Sequence, residues 1–392
     1  MTMPTHLSRR ALLAATLAPL AAPAQEPAPV RIGLMASYSG PYADYGRQFD
    51  AGIATWLREN GGRLAGRPVE IVRRDTPGAA PEVARRAAQE LVVREKVDLI
   101  AGLDFSPNAY AVAPVLTQAK VAGLVLNAAS SGIPAASPYL ARLSFTVGQV
   151  SAPMGTWMAR QGLRRAWTVV ADYAPGHDAE AAFRKAFEAA GGQVTGGLRT
   201  PMSTLDFAPF LQRIRDAKPQ AVFFFLPSGV MPPAFLKAWK ERGMDAAGIR
   251  LFATGEATDD SFLQATGDIA LGLVTSHHYS YAHPAARNRQ FVRNFEAEAG
   301  AGLRPNYFAV TAYDGMSALA AAMAKTRGDT SGERLVAALR GLVLESPRGP
   351  VEIDAATRDV VQTVYIRRVE KVGGQLVNVE FDRFERVRDP GR

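Results

Sequence analysis

Cysteine is absent from all 392 residues. That absence excludes disulfides, thiolate metal sites and a thiol for lipid attachment after signal cleavage, so the fold must be held by its core. Missing too are the zinc-protease pattern HExxH, the phosphate-cradling GxxxxGK[ST] and the nucleophile pattern Gly-x-Ser-x-Gly, which removes the usual sequence marks of those chemistries. Charge is not concentrated either. The formal net charge is +8, but the densest basic patches, "RLAGRPVEIVRRD" and "RDVVQTVYIRRVEKVGG", are interleaved with β-branched residues as a solvated strand face would be. Nucleic-acid binding needs a basic stripe and a recognisable module; neither is present, so no nucleic-acid partner is expected.

What is present begins with "MTMPTHLSRRALLAATLAPLAAPAQ". Arg9 and Arg10 precede a short Ala/Leu stretch that ends at Ala22-Pro23-Ala24, the layout of a secretory signal over residues 1–24. The stretch is shorter than the roughly 20 residues that span a bilayer. Ser8-Arg9-Arg10 also matches a twin-arginine address, and an ordinary signal with paired arginines is the other route. Removing those two arginine charges from +8 leaves a basic mature chain of +6, long enough for about two ordinary domains.

Apolar runs then alternate with helical patterns. "PVRIGLMA" precedes a helix carrying Phe49, Ile53, Trp56 and Leu57; "PVEIVRRD", "VDLIAGL" and "VAGLVL" are separated by helices. The series repeats from "RAWTVVAD" to "LGLVTSHHY". Strand and helix alternating at this spacing require parallel strands with crossover helices, giving an α/β chain of two doubly wound, Rossmann-like lobes. "AARNRQFVRNFEAEAG", "YFAVTAYDGMSALAAAMAKT" and "SGERLVAALRG" have apolar faces but no strands, so they are expected to pack back on lobe 1. Lobe 1 is therefore read as 28–145 plus 281–352, and lobe 2 as 146–280 plus 353–388. The chain crosses near 145–149, 278–283 and 353–358, and three crossings constrain the lobes to open and close as a hinge.

In doubly wound sheets, ligands lie at the carboxyl ends of strands. "GLDFSPNA" puts Ser106 at a helix N-terminus with Pro107 in its first turn, leaving amides and a positive dipole end for an anion. "LNAASSG" ends the next strand in small residues, so the amides from Ala129 to Ser131 and the hydroxyls of Ser130 and Ser131 stay reachable. Together they form a carboxylate cradle. Tyr38, Tyr42 and Tyr45 share one loop, and Tyr45 is the preferred wall for an apolar ligand body. Across the cleft, Tyr173 ends one strand and Glu256 another, the latter a candidate for a ligand ammonium. His277, His278 and His283 invite a metal reading, but neighbours on a strand face opposite sides, so no metal site is expected. An Asp/Glu pair such as Asp172 and Glu256 could act in acid/base work, without a nucleophile or cofactor motif beside it; no catalytic residue and no cofactor is assigned.

The order and spacing of "IGLMASYSGPYADYGRQFDAGI", "LIAGLDFSPNAYAVAPV", "VLNAASSGIP", "ADYAPGHDAEAAF", "ATGEATDD" and "PNYFAVTAYDG" resemble the type I periplasmic solute-binding proteins of ABC importers, in the leucine/isoleucine/valine-binding branch. The resemblance implies a monomer that captures a small carboxylate by hinge closure in the periplasm and delivers it to a membrane permease with its ATPase. It implies that Ser106, Ala129, Ser130 and Ser131 hold the carboxylate, that Tyr45 covers the ligand and that Glu256 meets an α-ammonium. One position departs: amino-acid binders often have an aromatic before the glycine of "YAPGH", where this chain has Pro175 with Tyr173 nearby. "TSHHYSYAHP", carrying His278, is similar to relatives that bind aromatic carboxylates or amides. The expected ligand is a small carboxylate with an apolar body, a branched-chain amino acid ahead of an aromatic acid. A ligand sensor for a receptor and an enzyme using a carboxylate pair are the rival readings.

Overall fold

A computed structural model describes residues 1–2, 26–300 and 302–391. The expected export signal lies almost wholly outside the described residues. The first sheet contains β1 (Val30–Ala36), β2 (Arg63–Leu64), β3 (Arg67–Asp75), β4 (Leu99–Gly102), β5 (Ala122–Val125) and β6 (Leu140–Arg142), in the spatial order β2-β3-β1-β4-β5-β6. All pairs are parallel except the β2–β3 hairpin. Helices α1 (Ala43–Glu59), α2 (Pro81–Val93) and α3 (Ser106–Ala119) make the crossovers. From β1 the chain goes first to β3 on one side and later to β4 on the other, so the sheet switches direction at β1 and opens a crevice at its carboxyl end. Gly102 closes β4 at φ +99°, where a Cβ would lie 2.1 Å from the Met35 carbonyl oxygen. Only glycine allows so close an approach at that dihedral.

The second half builds on the same plan with α4 (Val147–Arg160), β7 (Arg165–Ala171), α5 (Ala174–Ala189), β8 (Gln193–Thr200), α6 (Ala208–Ala217), β9 (Ala221–Phe225), α7 (Met231–Glu241), β10 (Arg250–Thr254), α8 (Leu263–Thr266) and β11 (Val274–His277). Here β8-β7-β9-β10-β11 are parallel, and the switch falls at β7. The chain continues through α9 (Ala286–Ala299), α10 (Tyr307–Thr326) and α11 (Gly332–Leu339), then β12 (Val343–Ser346), β13 (Gly349–Ile353), β14 (Val360–Val372) and β15 (Gln375–Val387). β14 pairs antiparallel with β11, β13 and β15, completing a nine-stranded sheet. The architecture is the two-lobed α/β arrangement expected. β12 and β13 lie in the segment read as lobe 1 yet are hydrogen-bonded into the second sheet, while Leu344 and Ile353 pack with Leu319, Leu335 and Leu339 of α10 and α11.

α10 explains how the late helices finish the first lobe. It lies against α1 so closely that a Cβ on Gly52 would sit 2.3 Å from the Ala309 carbonyl oxygen, and Phe49, Phe308 and Leu319 share one core with Leu34 and Leu124. The connections between sheets are tied by buried polar groups. Arg348 donates to the carbonyls of Leu143 and Ser144 at 2.5 and 3.0 Å, to Asp314 of α10 at 2.9 Å and to Gln362 of β14 at 2.5 Å. Arg142, fully buried, holds Asp359 through two 2.8 Å bonds. Charges taken this far from water persist only when paired and hydrogen-bonded, and each guanidinium has its carboxylate partner and four hydrogen bonds.

Candidate ligand-binding site

The carboxyl ends of β1, β4 and β5 face those of β7, β9 and β10 across one cavity. Six rings wall it, those of Tyr45, Phe105, Phe145, Tyr173, Phe225 and Tyr307. The rings close the cavity down to about 20 Å³, room for about one water. Tyr45 lies parallel to Phe105 with centroids 5.7 Å apart, and Tyr173 parallel to Phe225 at 6.2 Å. Tyr45 also crosses the cleft: its hydroxyl donates to the Ser228 carbonyl at 2.7 Å.

Of the residues expected at the site, Tyr45, Ser106, Ala129, Tyr173 and Glu256 line this cavity. Ser106 opens α3 as its first helical residue, with Phe105 rather than Ser106 in the capping position and Pro107 behind it. Its hydroxyl accepts from the Ser130 amide at 3.0 Å and keeps its hydrogen to donate. Ser130 is buried one step behind the lining, with its own hydroxyl unpartnered among the described residues. Ser131 is engaged elsewhere: its amide donates to Asp178 of lobe 2 at 3.1 Å and its hydroxyl to Asp389 at 2.8 Å. His278 does not line the cavity but stands behind it, its ring 4.9 Å from that of Phe145.

The histidine pair corrects one expectation. His277 and His278 do not face opposite sides; their rings stack at 4.4 Å. β11 ends at His277, so strand alternation no longer governs the next residue. His283 is apart from them, bonded to Glu380 at 2.8 Å. Asp172 is likewise apart from Glu256, exposed and paired with His177 at 2.8 Å, so the acid/base pair considered from sequence is not assembled at the cavity.

Two buried carboxyls remain at the cavity, both pushed up to about 7 by burial. Asp104 accepts from the amide and hydroxyl of Ser37 at 2.8 and 2.6 Å through one oxygen, leaving Oδ1 unpartnered among the described residues. Glu256 presents Oε2 with no hydrogen-bond partner among them, 3.8 Å from His277 Nε2. Burial, reinforced by Arg367 and Arg348, pushes both histidines down, so they are neutral. The cavity therefore offers an apolar slot with a helix N-terminus at one wall and unsatisfied polar atoms from Asp104, Asn127 and Glu256. Unmade bonds of this kind are costly, and a ligand with polar ends and an apolar middle would complete them.

Sequence reasoning missed Asp104, Phe105, Phe145, Phe225, Ser228 and Tyr307 as lining residues. "FFFLPSG" carried a usable signal, because a strand ending in Pro-Ser-Gly places its last ring and first serine at the rim. Tyr307 had another: Asn306 caps α10 by accepting from Phe308 and Ala309, which fixes the aromatic that follows it at the helix start.

The sequence pattern of the family described as periplasmic binding protein matches residues 29–375. Leu/Ile/Val-binding protein homolog 6 of Brucella melitensis is 41% identical, covering 98% of this chain and 99% of that protein. A solute-binding protein of an ABC transporter from Rhodopseudomonas palustris BisB5, solved with 3,4-dihydroxybenzoic acid, is 45% identical with a TM-score of 0.88, covering 92% of this chain and 98% of that one. A second from R. palustris, solved with 4-hydroxybenzoate, is 41% identical with a TM-score of 0.89, again covering 92% and 98%. With both lobes, the hinge and the cleft inside these matches, the chain belongs to the periplasmic binding protein family.

Proposed function

We propose that this chain is the extracytoplasmic solute-binding component of an ABC importer, and that its solute is a small aromatic carboxylate of the hydroxybenzoate class. The observation that carries the reading is the cavity wall: six rings, two pairs of them parallel, closed to about 20 Å³ so that a solute enters between them as the lobes part. Flat aromatic bodies fill such a slot through stacking and edge contacts. The ligand carboxylate lies toward Ser106 and Ala129, where the α3 N-terminus favours negative charge. Its hydroxyl lies toward Glu256, whose free Oε2 accepts when ionised and donates when protonated. Tyr173 packs on the ring, and His278 stiffens the wall behind Phe145. The lobes close on the solute, and the closed form is recognised by the membrane permease and its ATPase; no bond in the solute is broken.

Glu256 supports a second reading. A buried carboxylate lining the cavity suits the α-ammonium of a branched-chain amino acid, and the Brucella relatives carry that name. Thermal shift separates the two. The mature protein is unfolded, dialysed free of solute, refolded and screened with benzoate, 4-hydroxybenzoate, 3,4-dihydroxybenzoate, leucine and valine. A ligand at 100 times its Kd stabilises by about 2.7 kcal/mol. Hydroxybenzoates are expected to raise Tm, and Glu256→Gln to retain part of that gain. A shift with leucine or valine alone, abolished by Glu256→Gln, would overturn the aromatic reading in favour of the amino acid.

A further inference from the structure

Beside the cavity, the lobes meet at a second polar contact whose hydrogens do not add up. Asp44, in the first turn of α1, and Asp259, following β10, come from opposite lobes and are both buried. Ser261 Oγ lies 2.9 Å from Asp44 Oδ2 and 2.9 Å from Asp259 Oδ1. A serine hydroxyl carries one hydrogen. It can donate to one of these carboxylates, and the other oxygen is then held at hydrogen-bond distance with nothing between. Two ionised carboxylates sharing a buried site also repel each other.

One added hydrogen resolves both problems. If Asp44 is the acid, its Oδ2–H donates to Ser261 Oγ, and Ser261 donates onward to Asp259. The partners decide which carboxyl holds it. Asp259 already accepts from the Ser228 hydroxyl at 2.5 Å, the Ser261 amide at 2.9 Å and the Asn306 amide group at 2.9 and 3.1 Å. Among the described residues Asp44 has only Arg47 besides Ser261, and that side chain is 66% exposed. We propose that closing the lobes takes up one proton, held by Asp44 against Ser261 and Asp259.

Burial first, and Asp259 second, raise the Asp44 carboxyl against the opposing pull of Ser261 and Arg47. Opening the hinge separates α1 from Asp259 and Ser261 and returns Asp44 to water. Its affinity for the proton is thus higher in the closed form, so the gain in closure is complete below the open-state value and is lost as pH rises through the closed-state value. Arg47 on α1 and Asp259 from lobe 2 face Asp44 directly. Behind Asp259 stand Glu256, Asp260 and Arg367; Asn306 at the start of α10 is uncharged, and Tyr45 and Tyr307 are held in the neutral form.

The test needs no solute, so its failure and that of the ligand reading are separable. Small-angle scattering on the ligand-free mature protein gives the closed-to-open ratio between pH 4.5 and 8. One linked proton raises that ratio by up to about tenfold per pH unit on acidification. D44N supplies a permanent N–H donor to Ser261 without the charge, so its ratio should depend on pH less steeply than the wild type by one proton. A flat wild-type profile overturns the proposal, as does a D44N profile as steep as the wild type, which would assign the dependence to Asp104, Glu256 or Asp260. Should D44N not fold, Asp44→Ser removes the same carboxyl and must lower the slope by the same one proton.

Discussion

The Tyr45 hydroxyl and the Ser228 carbonyl stand 2.7 Å apart with a lobe boundary between them. One side chain therefore has two duties: its ring is cavity wall and its hydroxyl fastens the opposite lobe. Tyr45→Phe keeps the ring and removes the bond. A neutral hydrogen bond contributes about 0.5–1.5 kcal/mol net, so solute should bind about 2- to 10-fold more weakly by isothermal titration, mainly through faster release. An unchanged Kd would show that closure does not draw on this contact.

Arg142 and Asp359 form the best-bonded buried ion pair at the crossings. Arg142→Met leaves Asp359 buried and uncompensated, and breaking such a pair from one side costs about 3–5 kcal/mol. Urea denaturation should record that loss. The double variant Arg142→Met with Asp359→Leu should recover part of it, since no orphaned charge remains. Arg142 also donates to the carbonyls of Ala128 and Ser130 at 2.9 and 2.7 Å, so the single variant should loosen the solute cradle as well. A single variant as stable as the wild type would refute this account.

Asp104 makes stability depend on pH. Its carboxyl, ordinarily near 3.8, is pushed up to about 7 by burial against the pull of Ser37. The folded value exceeds the unfolded one, so this group favours folding fully below about pH 4, and that contribution is lost as pH rises through about 7. Relative to Asp104→Asn, the wild type should lose Tm across this window. Parallel Tm profiles for the two proteins would rule Asp104 out as the cause.

Gly176 is required by space alone. A Cβ there would lie 1.8 Å from the Ala171 carbonyl oxygen, so α5 must shift if any side chain is added. Overpacking of this kind costs about 1–3 kcal/mol. Gly176→Ala should lower Tm, and, because Pro175 lines the cavity, weaken solute binding too. Full retention of both would mean that the helix start yields more easily than its contacts imply.

The alternation of strands and helices was legible because β4 and β9 are buried along their whole length, and such strands read as unbroken apolar runs. β6 escaped notice because it is three residues long, and β12, as short as β4, because it alternates exposed and buried residues instead of running apolar. Site residues just beyond strand ends, such as Tyr45 in the first turn of α1, Ser106 opening α3 and Glu256 after β10, follow from the topology. Those that depend on the opposite lobe do not. Nothing local tells that Ser131 will meet Asp178, or that the rings of His277 and His278 will stack once the strand has ended.

The Trp56 indole donates to the Ser317 hydroxyl at 3.0 Å, from 261 positions earlier in the chain. The lobe whose synthesis begins first is thus not complete until α10 emerges, after most of the second lobe. At about 5–20 residues per second, roughly 13–50 s separate the two residues on the ribosome. Throughout that interval the α1 face that packs on α10 is uncovered, long enough for a holding chaperone to find it.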